Sequence, residues 1–183
     1  MKMDELAARF NLKLRSSYDP TLKFEHRAGY DYISCDIRTY DDGERFRTPL
    51  KEFDPGGTVT LRRYPNHDDA KGDHDAAMSS LRALEQSRTE LSTKAVNGGW
   101  WDEGMYVQRI DPIDPKQYPR VENLDAAEVG VGYELRHGNL LIRTHLDTQA
   151  PTPQIEQVLA FLRDFADAFT KDAVTHLART SPD

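Results

Sequence analysis

Val129-Gly-Val-Gly-Tyr-Glu-Leu-Arg-His-Gly-Asn-Leu-Leu-Ile-Arg-Thr-His-Leu146 is the stretch that decides the fold. It reads as two alternating strands that meet at His137-Gly138-Asn139, a turn signal between two periodic runs. A proline break follows, then a long amphipathic segment. Thr152 is placed to cap it, Pro153 takes the first helical position and Glu156 lies in the first turn. Ile155, Val158, Leu159, Leu162, Phe165, Ala166, Phe169 and Leu177 recur near helical spacing, so this helix covers one face of the hairpin.

Working outward, Asp4 to Leu14 reads as a short helix with Leu6, Phe10 and Leu14 on one stripe. Tyr30 to Arg38 alternates, with Ile33, Cys35 and Ile37 on one face, as a half-buried strand does. Turns are expected at 40–44 and 53–57. A strand rich in β-branched and aromatic residues runs from Thr58 to Tyr64. Residues 65–75 read as a polar loop leading into a helix from about Asp75 to Leu91, with Met78, Leu81, Leu84 and Leu91 buried. Asn97-Gly-Gly99 stops it. Trp100 to Ile110 is a further strand, and the prolines of 111–120 make a surface connection.

Strands that arrive as hairpins favour an antiparallel sheet with helices packed on it. The expected fold is therefore α+β: one domain over 1–183, with five to six antiparallel strands and two main helices. Residues 1–20 form an N-terminal helix or extension. Regular strand–helix alternation is absent, and so is a glycine-rich phosphate loop.

The 183 residues suffice for one ordinary core, but only 38% are hydrophobic and 30% are charged, so that core is thin. The formal charge of −7 disfavours general binding to nucleic acid. Arg45, Arg47, Arg62 and Arg63 still offer a local basic patch. The lone Cys35 forms no intrachain disulfide, and as a residue among apolar neighbours it reads as a buried small side chain. The longest apolar run, Val158 to Leu162, is far too short to span a membrane. The first ten residues lack the apolar stretch of a signal peptide, so an exported form would need a targeting segment ahead of Met1.

Two segments invite a functional reading. His67, Asp69, Asp73 and His74 supply the imidazoles and carboxylates that divalent metals use, and would serve a metal-dependent hydrolase. The bland alternative is a solvated loop whose acids cap the next helix. His67-Asp68 is similar to the dipeptide of metal phosphohydrolases, but the further ligands of that family find no counterpart here. The second segment is Asn97-Gly-Gly-Trp-Trp-Asp-Glu-Gly104. Trp100, Trp101 and Tyr106 can line a ligand cleft in which Asp102 or Glu103 is the polar anchor. Against this, tryptophan commonly packs, and acids commonly face water. No Gly-x-Ser-x-Gly nucleophile motif occurs, and His145 reads as part of a solvated outer face.

The strand–helix–strand order, Gly99-Trp-Trp-Asp-Glu-Gly104 before a strand, and Arg136-His-Gly-Asn-Leu-Leu-Ile-Arg143 feeding a terminal helix carry a resemblance. From Tyr30 onward the chain resembles exported sensor or lipoprotein domains of actinobacteria, a domain family of unknown function, with the Mog1/PsbP-like fold. The lipobox cysteine and the paired cysteines of some members are missing. The resemblance implies a non-enzymatic, extracytoplasmic module, and no cofactor is expected. It would bind a small ligand, cell-wall material or a protein partner, and no catalytic residue carries over.

Overall fold

The computed structural model describes residues 22–40, 56–96, 99–114 and 125–177, together with Glu5, Ala8 to Phe10, Lys13, Leu14 and Lys116. Its centre is an antiparallel sheet. Strand β1 is Lys13–Leu14, β2 Leu22–Arg27, β3 Tyr30–Tyr40, β4 Gly56–Arg63, β5 Leu91–Ala95, β6 Glu103–Pro112, β7 Ala126–His137 and β8 Leu140–Pro151. Seven strands lie in the order β2-β3-β4-β8-β7-β6-β5, and the two-residue β1 adds an eighth piece on β3. Helix α1 is His67–Ser87 and α2 is Ile155–Leu177.

The α+β class and the antiparallel sheet match the sequence expectation, but the strand count exceeds the expected five to six. The unexpected strands are those at the sheet edges. Strand β5 is Leu-Ser-Thr-Lys-Ala, mostly exposed, and is held by backbone pairing to β6 rather than by an apolar face. Strand β2, Leu-Lys-Phe-Glu-His-Arg, pairs with β3 through a turn in which Gly29 takes φ +93°. Short, charged edges are how sheets resist pairing with foreign strands, and they weaken the hydrophobic signal that sequence reading relies on.

Helix boundaries also move. Helix α1 begins at His67, eight residues before Asp75, because the Asn66 side chain accepts from the Asp69 backbone N–H at 2.9 Å and caps it. It stops at Ser87, not at the glycines, and Leu91 already belongs to β5. At the N-terminus Glu5, Ala8 and Arg9 are helical, whereas Leu14 lies in β1. The Phe10 ring packs on Phe165 at 4.9 Å. Thr152 opens a single 3-10 turn ahead of α2, and its hydroxyl donates to Asp125 instead of capping the helix. Residues 41–44 and 53–55 of the two expected turns fall outside the described residues, as do Arg45, Arg47 and most of 115–124.

The sheet has unlike faces. Val59, Leu61, Val129, Val131, Leu135, Ile142 and Leu146 meet Val158, Leu162, Phe165 and Phe169 of α2 in the main core. Each fully buried large side chain there contributes roughly 2 kcal/mol. On the opposite face charged residues are interspersed: Glu134 of β7 pairs across the hairpin with Arg143 of β8, and Arg109 of β6 pairs with Glu128 of β7. Helix α1 crosses this face as it carries the chain from β4 over to β5, with a small apolar cluster of Tyr64, Ala70 and Leu141 beneath its start and Met78 and Met105 buried further along.

Candidate functional site

The cap at Asn66 fixes which side of α1 meets the sheet. Ala70, His74 and Met78, spaced four apart, form its buried stripe. That stripe sets a histidine where a helix normally places an apolar residue. His74 is 3% exposed, yet neither ring nitrogen has a hydrogen-bond partner among the described residues. Burial is the main influence on its pKa and lowers it, while the nearby Glu103 carboxylate opposes the shift.

Arg136, at the end of β7, gathers the surrounding polar groups. Its side chain is 4% exposed. Nη2 donates to Glu103 Oε1 at 2.8 Å. Nη1 reaches Asp102 Oδ2 at 3.1 Å, the Gly138 carbonyl at 3.2 Å and His67 Nε2 at 2.8 Å. Guanidinium only donates, so His67 accepts through Nε2. The Gly138 backbone N–H also donates to Asp102 at 2.8 Å and holds that carboxyl below its ordinary pKa. Register explains the meeting, since Glu103 of β6 lies directly opposite Arg136 of β7.

Each of two carboxylates keeps one oxygen for a cation and turns the other toward His74. Glu103 Oε2 is 3.6 Å from His74 Nδ1. Asp75 Oδ2 holds Lys71 at 2.6 Å, and Asp75 Oδ1 stands 4.0 Å from the same nitrogen. These three residues border an open groove of about 600 Å³ between α1 and β5–β6, which Met78, Arg82 and Met105 also line. A smaller space of about 220 Å³ lies under the later turns of α1, with Leu81, Leu84, Val107 and His145 around a floor of Gly130 and Gly132.

The residues singled out from sequence are regrouped. Of the proposed metal set, Asp69 is occupied at the cap, where Asn66 Nδ2 donates to it at 2.8 Å. Asp73 accepts from Arg62 at 2.8 Å and from the Tyr64 hydroxyl at 2.5 Å, and the Tyr64 pKa is pushed up to about 12, mostly by burial. His67 goes to Arg136, which leaves His74 with Asp75 and Glu103. The aromatic set divides as well. Tyr106 and Glu103 are three residues apart on one strand and so face opposite sides of the sheet; Tyr106 packs on Tyr133 at 5.4 Å. Trp100 and Trp101 are half-buried against the main core, edge to face at 5.5 Å. Trp101 Nε1 donates to the Val96 carbonyl at 3.1 Å, and Trp100 faces the His137 ring.

Thus Asp102 and Glu103 of one sequence candidate meet His67 and His74 of the other through Arg136. The joining residue was not singled out in the sequence. Its signal is a charged side chain at the end of an inward-alternating run, opposite an acid. Cys35, as expected, is buried, and its thiol is pushed up to about 11 by desolvation. No protein-family model, curated protein or solved structure matches the chain.

Proposed function

We propose that the chain is a non-enzymatic binding module whose ligand enters the groove between α1 and β5–β6. One observation supports this above the others: the groove is open, and its wall holds a buried histidine, His74, whose ring nitrogens have no hydrogen-bond partner among the described residues. Buried polar groups normally carry a partner, and one that lacks it beside open space suits a group supplied from outside. Glu103, positioned by Arg136, keeps its place as a polar anchor, whereas Asp102 is taken up by Arg136 and the Gly138 N–H outside the groove lining. The tryptophans act as packing that fixes the Gly99–Gly104 segment. The Mog1/PsbP-like assignment stays part of this proposal and rests on the order strand, helix, strand, hairpin, helix.

The test is a thermal-shift screen of small polar ligands on the full chain, repeated on Ala83→Trp, which places an indole in the groove from the exposed side of α1. Ligands that stabilise the natural chain should lose their effect in the variant. Stabilisation that survives the substitution, or no stabilising ligand at all, would overturn the proposal.

A further inference from the structure

We infer that His74, Asp75 and Glu103 form a site for a divalent cation of the zinc type, with one coordination position open to the groove. The inference rests on the groove being the binding region and deepens it by naming a ligand class.

The donor set is chemically suited. One imidazole nitrogen and two carboxylate oxygens are common ligands of such ions, and three protein ligands with an open fourth position mark sites that hold an exogenous group. The spacing is suited too. A tetrahedral ion about 2.1 Å from its ligands needs those ligands roughly 3.4 Å apart. His74 Nδ1 already stands 3.6 Å from Glu103 Oε2 and 4.0 Å from Asp75 Oδ1, and the three donor atoms lie within 4.8 Å of one another. Small side-chain rotations close the set around an ion.

Acidic clusters are common on protein surfaces, but here a second observation points the same way. His74 is almost completely buried and neither ring nitrogen makes a well-formed hydrogen bond among the described residues, the Glu134 backbone being its only polar influence besides the nearby charges, an arrangement that costs stability unless something else binds the ring. The cations nearby hold the other carboxylate oxygens. Arg136 holds Glu103 Oε1 and Lys71 holds Asp75 Oδ2, and each orients a ligand as outer contacts do around metals. Their positive charge also weakens attraction for a dication, so binding weaker than that of a structural zinc is expected.

The experiment is isothermal titration of the full chain, first stripped with chelator, using zinc chloride, and cobalt chloride for its visible absorption. One equivalent should bind, and cobalt should give the intense visible bands of a four-coordinate site. Asp75→Asn and Glu103→Gln should each weaken zinc binding at least about tenfold, while Asp69→Asn and Asp73→Asn should not. Circular dichroism confirms that each variant folds. Asp75 is the exposed ligand, so its variant decides the matter should Glu103→Gln fail to fold. Absence of stoichiometric zinc binding, or binding unchanged in Asp75→Asn, would overturn the inference. Groove ligands lost in Ala83→Trp would still uphold the binding module without the metal. Zinc binding without any such ligand would do the reverse.

Discussion

Arg136 and Glu103 lie opposite each other on β7 and β6, and the 2.8 Å bond from Nη2 to Oε1 fixes the carboxylate so that its other oxygen faces His74. The arginine is buried, while the acids it holds are about two-fifths exposed. Removing the guanidinium therefore leaves carboxylates that water can partly reach. We predict that Arg136→Met destabilises the fold by about 2 kcal/mol, below the cost of breaking a fully buried pair. Arg136→Lys should recover only part, because an ammonium cannot span Glu103, Asp102, His67 and the Gly138 carbonyl at once. Urea unfolding midpoints of the two variants check both statements.

Gly130 and Gly132 share one strand and one face, yet a side chain would meet different surroundings at each. A Cβ on Gly132 would stand 2.5 Å from the Thr144 carbonyl oxygen, a backbone atom that cannot step aside. At Gly130 the nearest atoms are 3.5 Å away, ordinary contact. Gly132→Ala should thus cost about 2 kcal/mol by overpacking. Gly130→Ala should be neutral or gain about 0.5 kcal/mol, since it removes glycine's extra freedom in the unfolded chain. Equal effects in thermal unfolding would show that the two glycines do not differ in this way.

The hairpin and α2 were legible in the sequence because their burial is apolar and periodic. Val129, Val131, Leu135, Ile142 and Leu146 on the strands, and Val158, Leu162, Phe165 and Phe169 on the helix, write their face into the chain directly. The other face of the sheet was not legible, because charge pairs such as Glu134 with Arg143 occupy it and look like solvated surface. Helix α1 shows the same masking. Its first turns, His67 to Asp75, are mostly polar, Ala70 being apolar, and the buried stripe places His74 where a leucine would be expected, so they read as loop. The Asn66–Asp69 cap was the one local signal of the true start. Both functional candidates were visible as residues, but their meeting depends on the β6–β7 register, which no local pattern states.

Glu85 fastens the last turns of α1 to β5. Its carboxylate accepts from the Thr93 backbone N–H at 2.7 Å and from the Thr93 hydroxyl at 2.5 Å, and these bonds hold its pKa below the ordinary 4.5. A depressed carboxyl contributes stability above its unfolded pKa and loses it as pH falls through the folded value. Glu85→Gln removes that contribution. The melting temperatures of natural chain and variant should differ most above about pH 5 and converge as the pH drops below 4.5. A gap that stays constant across this range would sink the assignment.

Thr144 of β8 and Thr170 of α2 place two hydroxyl oxygens 2.5 Å apart inside the main core, where both residues are buried. Thr170 also reaches the Ala166 carbonyl at 2.7 Å, and that acceptor requires its proton. The consistent arrangement has Thr170 donating to Ala166 and Thr144 donating to Thr170. The two single substitutions are then unequal. Thr144→Val leaves Thr170 with its carbonyl and loses one bond, about 1 kcal/mol. Thr170→Val strands the Thr144 hydroxyl in an apolar surround and should cost about 2 kcal/mol. In the double variant no hydroxyl remains to be satisfied, so its stability should lie above that of Thr170→Val alone. A double-mutant cycle from chemical denaturation reads this directly as a favourable coupling of about 1 kcal/mol or more. Additive losses would mean that the two hydroxyls do not act as a donor–acceptor chain.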